Sequence, residues 1–165
     1  FHPGEVLLIS RSLGSGCLFA AARVGKGSPD HLDEAIEQLS TSQHQTLDAL
    51  LEMQYKQNST LIVHACTDIT GFGLLGHLGE MLSSSNFNRS KVGNSMLRIK
   101  LHADWIPSFD GALSLFGAGY SSTLAPENRK AGQLLARNTH SCAPVELSLG
   151  RKISSGMKKL FTINE

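Results

Sequence analysis

The stretch HACTDITGFGLLGH, from His64 to His77, concentrates the residues of this chain best suited to chemistry. Asp68 stands between Thr67 and Thr70, and Gly71 and Gly73 follow just ahead of an apolar run. Backbone N–H groups at a helix start lack intrahelical partners and carry the positive end of the dipole, so they attract anions. Glycine lets such a backbone approach a phosphate with no Cβ in the way. A carboxylate at the end of the preceding strand is placed to hold Mg2+, a hard cation that takes oxygen ligands, against the same phosphate. Acid and glycine loop together describe a Mg·nucleotide arrangement. The same residues also suit a plain capping turn, with Asp68 or Thr67 closing the helix. Both readings stand at this level. No G-K-[ST] follows the glycines, so the loop is not of the Walker A kind.

His64 and His77 flank the loop too far apart for an i, i+4 ligand pair, and each is expected to be packed or hydrogen-bonded. Glu80, three residues past His77, is placed to orient it. Cys17, Cys66 and Cys142 form no C-x-x-C and read as buried free thiols of a reducing compartment.

The elements that must position the loop follow from periodicity. EVLLIS (Glu5 to Ser10) and STLIVHACT (Ser59 to Thr67) read as apolar strands. MLRIKLHADWI alternates Leu97, Ile99 and Leu101 with Arg98, Lys100 and His102, the period of a strand wet on one face. VELSL, near the end, is a weaker strand candidate. Helices are predicted over CLFAAARVG, over HLDEAIEQLS with Asp30 as N-cap, and over Ser42 to Gln57. Further helices are predicted over GLLGHLGEMLSSS, SFDGALSLFGAGY and ENRKAGQLLARN. SNFNRSKVGNS is polar and reads as a mobile loop. Strands and helices without regular βαβ alternation imply an α+β fold, a mixed β-sheet backed by helices.

A chain of 165 residues is long enough for one domain that buries roughly 70% of its unfolded surface. A formal net charge of +1 gives no sign of a nucleic-acid or acidic-membrane partner. No run approaches the ~20 apolar residues of a membrane span, and no charged-then-apolar leader opens the sequence. The first residue is Phe1 and not Met, so the chain is expected to be a piece of something longer.

The fourteen residues from His64 to His77 resemble the signature of the selenophosphate synthetase (selenide, water dikinase) family. Their second half resembles the wider superfamily that includes aminoimidazole ribonucleotide synthetase and thiamine-phosphate kinase. GEVLLISRSLGSGCLFAA, from Gly4, is similar to the strand and KPLGTG that open the family's C-terminal domain. DWIPSFDGALSLFGAGYSSTLAPENR, from Asp104 to Arg129, is similar to the stretch after that domain's next strand. Together these matches cover about three quarters of the chain.

The resemblance implies the C-terminal-domain fold of aminoimidazole ribonucleotide synthetase-like proteins over residues 1–165, as a single domain. It implies a cytoplasmic homodimer that makes selenophosphate from ATP, selenide and water, releasing AMP and phosphate. Asp68 matches the family's metal-ligating aspartate for Mg2+, and Thr67, Thr70, Gly71 and Gly73 match the residues that shape the ATP-facing loop. No catalytic residue is carried over. The family's cysteine or selenocysteine, its lysine and its other metal-binding aspartates belong to an N-terminal ATP-binding domain that matches nothing here. Arg11 and Ser12 stand where the family carries Lys-Pro, and the chain stops at Glu165, about where the family's DPQTSGG motif begins. The expectation is a C-terminal domain truncated at both ends and inactive alone, with an open sheet edge that dimerisation could cover. Two alternatives are a non-catalytic dimerisation or assembly module and an ATP-dependent relative with a different acceptor.

Overall fold

The computed structural model describes residues 1–56, 63–137, 145–148 and 161–164. Its helices are α1 (Ser15–Ala22), α2 (Pro29–Ser40), α3 (His44–Tyr55), α4 (Gly73–Lys91), α5 (Ala112–Gly117) and α6 (Ala125–Arg137). Its strands are β1 (Arg98–His102), β2 (Val145–Ser148) and β3 (Phe161–Asn164). Among the described residues no helix is long and apolar enough to cross a membrane.

The alternation of β1 does what its period requires. Ile99 and Leu101 are buried while Arg98 is exposed and Lys100 and His102 are half-buried. β1 lies between the other two strands, parallel to β2 with Ile99 opposite Val145, and antiparallel to β3 with Ile99 opposite Ile163. Leu78 and Leu82 of α4 pack on Leu97, Ile99 and Leu101, with Leu7, Ile9, Trp105 and Ile106 at the margin. Burying side chains of this size contributes about 1.5–3 kcal/mol each, set against the entropy of ordering them.

A second cluster joins Leu18 of α1, Ala35 of α2, Phe109 of the connection before α5 and Ala112 at the start of α5, bordered by Leu32 and Leu115. Leu13 ties the connections together: its N–H donates to Pro107 O and its carbonyl accepts from Phe109 N–H, both at 2.9 Å.

Several expectations need correction. Glu5 to Ser10 is extended and alternates as a strand would, with Leu7 and Ile9 turned toward the core and Val6 and Leu8 exposed. It has no ladder partner among the described residues and is not a strand. Of the strand expected over STLIVHACT, residues 59–62 lie outside the described residues, and Val63 to Thr67 has no ladder partner among those described. Periodicity reports which side chains a core accepts; a strand also needs a neighbour, which comes from elsewhere in the chain. Asp30 is not the N-cap of α2: Ser28 occupies that position, Pro29 takes the first turn where its missing N–H costs nothing, and Asp30 follows.

The loop expected over SNFNRSKVGNS is largely helix, since α4 continues to Lys91. Asn86 Oδ1 accepts the Leu97 N–H at 2.7 Å, and Asn86 Nδ2 donates to the Leu97 carbonyl at 3.1 Å. Arg89 Nε donates to Ser95 O at 2.7 Å. Arg89 and Lys91 also place positive charge on the negative end of the helix dipole. Polar residues that read as solvated loop thus fasten α4 to the approach of β1.

Candidate functional site

The loop is built around the start of α4. The Gly73 N–H donates to Thr70 O at 2.9 Å, closing a turn over Thr70, Gly71, Phe72 and Gly73. Gly73 stands at the fourth turn position with φ of 70°, a left-handed conformation that glycine adopts at little cost. A Cβ on Gly73 would stand 3.2 Å from Asn128 Nδ2, and one on Gly71 would collide with Leu124 Cδ1. The left-handed backbone of Gly73 calls for glycine, and the absence of a side chain at both positions lets this turn lie close against Leu124 and Asn128. That close approach explains them whether or not a ligand is bound.

His77 pins the turn from the next turn of the helix. Its ring is buried, its Nε2 accepts the Thr70 N–H at 3.2 Å, and Thr70 Oγ1 lies 3.0 Å from the same nitrogen. An accepting Nε2 places the imidazole proton on Nδ1, which faces Glu80 Oε2 at 3.8 Å. His77 is thus the hydrogen-bonded histidine that the sequence suggested, and Thr70 is the residue it holds.

Thr67 and Asp68 lie on the exposed, extended approach to the turn. Thr67 Oγ1 donates to the Asp68 carbonyl at 3.4 Å. No side chain caps α4, so neither Thr67 nor Asp68 performs the capping role that the sequence left open. Among the described residues no ion pair or hydrogen bond engages the Asp68 carboxylate. An exposed carboxylate with free oxygens, on the segment leading into a helix start whose first N–H groups have no side-chain acceptor among the described residues, fits a hydrated Mg2+ that also bears phosphate. One carboxylate is enough for such an ion only when phosphates and other ligands complete its shell.

The structure brings Thr70, Gly71 and Gly73 together in one turn, and leaves Thr67 and Asp68 on the segment leading into it. Sequence reasoning missed Leu124, just before α6, and Asn128 of α6, which the glycines accommodate; nothing local to those positions announces the contact. It also missed the pairing of His64 with Glu5, whose side chains form an ion pair when the imidazole is protonated. The cysteines depart from expectation too. Cys66 is exposed, not buried, and Cys17 is half-buried, with desolvation raising its thiol pKa above the ordinary value. Cys142 lies outside the described residues.

With this geometry in hand, comparison with known proteins decides the family. Residues 2–112 match the family model described as AIR synthase related protein, C-terminal domain. The chain belongs to that family. Its relatives include a selenide, water dikinase of Agathobacter rectalis, 29% identical over 128 residues, which cover 78% of this chain and 32% of that protein. A selenide, water dikinase of Pelobacter propionicus is 38% identical over 84 residues, 51% of this chain and 22% of its own length. Another, from Myxococcus xanthus, is 31% identical over 130 residues, 78% of this chain and 33% of that protein. The resemblance to the C-terminal domain of selenophosphate synthetases is borne out, and with it the AIR synthase-like fold. The chain spans about a third or less of the length of these relatives.

Proposed function

We propose that this chain is the C-terminal domain of a selenide, water dikinase, which makes selenophosphate from ATP, selenide and water with release of AMP and phosphate. Asp68 is its contribution to the metal site: the carboxylate supplies fixed oxygens for Mg2+, and the ion, when bound, neutralises charge on the ATP phosphates. Thr70, held by His77, and Gly71 and Gly73, seated on Leu124 and Asn128, set the path of the backbone that presents Asp68, and Thr67 precedes it. The remaining metal ligands and most of the ATP site come from an N-terminal domain of the same protein, so the isolated chain is inactive. The working protein is a cytoplasmic homodimer, and the described strands belong to a larger mixed sheet backed by helices.

The observation that carries this reading is the exposed Asp68 carboxylate, unpartnered among the described residues, beside the uncapped start of α4. A carboxylate that served only the fold would be expected to cap the helix or pair with a cation. The test compares the full-length parent protein with its Asp68→Asn variant, each given Mg·ATP and selenide under anaerobic, reducing conditions, with products followed by phosphorus NMR. The expected result is a selenophosphate resonance with AMP in the parent and a rate lower by about 100-fold or more in the variant, the scale on which removing one transition-state electrostatic contact acts. ATP breakdown indifferent to selenide would assign a different acceptor. Absence of any ATP turnover in the parent would favour an assembly module, and full activity in Asp68→Asn would return the loop to a purely structural turn.

A further inference from the structure

We infer that the opening turn of the chain and the segment leading into the glycine loop together form a binding site for a zinc-class divalent cation, with His2, Glu5 and His64 as its protein ligands. The three side chains each offer one ligand atom, and these atoms lie within 4.8 Å of one another. A tight turn assembles the first two. Pro3 and Gly4 occupy its centre, Gly4 has φ of 83°, and the Glu5 N–H approaches His2 O at 3.4 Å. Proline followed by a left-handed glycine is the chemistry of a type II turn. It folds His2 back to the side of Glu5.

His64 arrives from the other segment. Its ring centroid lies 4.8 Å from that of His2, and its Nδ1 faces Glu5 Oε1. Glu5 Oε1 is closed off from solvent and has no hydrogen bond of acceptable geometry. A carboxylate oxygen and a neutral imidazole nitrogen both present lone pairs. Their juxtaposition is favourable only when a proton or a cation is shared between them.

Two imidazoles and one carboxylate, with a water as fourth ligand, form an established zinc donor set with bonds of about 2.0–2.2 Å. Ligand atoms held tetrahedrally on such bonds stand roughly 3.3–3.6 Å from one another, so side-chain movement on the order of 1 Å brings the three atoms to that spacing. His2 and His64 are free to make it, because both are exposed at the surface. Nitrogen donors disfavour Mg2+, which demands oxygen, so this site is chemically separate from the one proposed at Asp68. Its consequence is mechanical: His64 precedes Asp68 by four residues, so a bound cation ties the otherwise unpaired approach of the loop to the opening turn.

The test uses the protein free of any oligohistidine tag, stripped of metal, titrated with Zn2+ against a chromophoric chelator and with Co2+ followed by visible absorption. One equivalent is expected to bind, with cobalt bands typical of tetrahedral nitrogen and oxygen ligation. Loss of an outer-shell partner alone costs 10–100-fold in affinity, so His64→Ala and Glu5→Gln should each weaken binding by about 100-fold or more. His44→Ala, at an exposed histidine outside the cluster, should leave it unchanged. Zn2+ should raise the Tm of the unsubstituted protein and not that of His64→Ala, with far-UV circular dichroism confirming that the variants are folded. Equal affinity in His64→Ala and Glu5→Gln, or no binding at micromolar Zn2+, would overturn the inference. A sulfur-to-cobalt charge-transfer band would overturn it as well, by placing Cys66 in the site. None of these readouts involves ATP or selenide, so they stand or fall apart from the proposed enzyme.

Discussion

Replacing Asn86 tests how the helix that begins at the glycine loop is held. The Asn86 amide satisfies both backbone groups of Leu97, accepting the N–H at 2.7 Å and donating to the carbonyl at 3.1 Å. Leu97 is 1% exposed and lies just outside the β1 ladder, so neither water nor a neighbouring strand stands ready to replace the amide. Asn86→Ala leaves a buried donor and a buried acceptor unpaired, each costing about 1–3 kcal/mol. The loss expected is about 2–6 kcal/mol, a large part of the 5–15 kcal/mol typical of a domain. For a chain of this length it corresponds to a fall in Tm of about 4–24 °C. Urea unfolding followed by circular dichroism should show the midpoint fall while the slope stays constant. Asn86→Leu restores bulk without hydrogen bonds and should be nearly as destabilised as Asn86→Ala. A loss under about 0.5 kcal/mol in Asn86→Ala, the scatter of an ordinary surface change, would refute the reasoning. Full rescue by Leu would assign the effect to packing.

The two loop glycines should differ in their tolerance. Gly73→Ala forces a Cβ into the left-handed region and against Asn128, and should cost about 1–2 kcal/mol, read from the same urea curves. Gly71→Ala should cost less, because the obstructing methyl belongs to a Leu124 that is 39% exposed and can rotate away. Among the thiols, Cys66 should be alkylated several-fold faster than Cys17 in the native protein, as measured by peptide mass spectrometry, since burial both shields Cys17 and depletes its thiolate. The raised Cys17 pKa also gives a signed pH dependence. Above the ordinary thiol range the unfolded chain loses this proton first, so stability falls as pH rises through the native value, and Cys17→Ala should flatten that alkaline limb.

The sequence by itself determined the grouping of the loop residues and the nature of most elements. Asp68, Thr70 and the glycines are adjacent in the chain, so their grouping needed no long-range information. β1 was legible because Ile99 and Leu101 alternate with polar residues, and the six helices because their apolar spacing or composition is local. Tertiary structure decided the rest. Among the described residues it left Glu5 to Ser10 and Val63 to Thr67 without a ladder partner, because strand status depends on a partner and not on the segment's own pattern. It extended α4 through residues 85–91, because Asn86 and Arg89 found backbone partners near Leu97. It seated Gly71 and Gly73 on Leu124 and Asn128, about fifty residues downstream. It also brought His64 to His2 and Glu5 across some sixty residues. Contacts at that separation follow from the path of the whole chain, and no window of sequence around either end contains them.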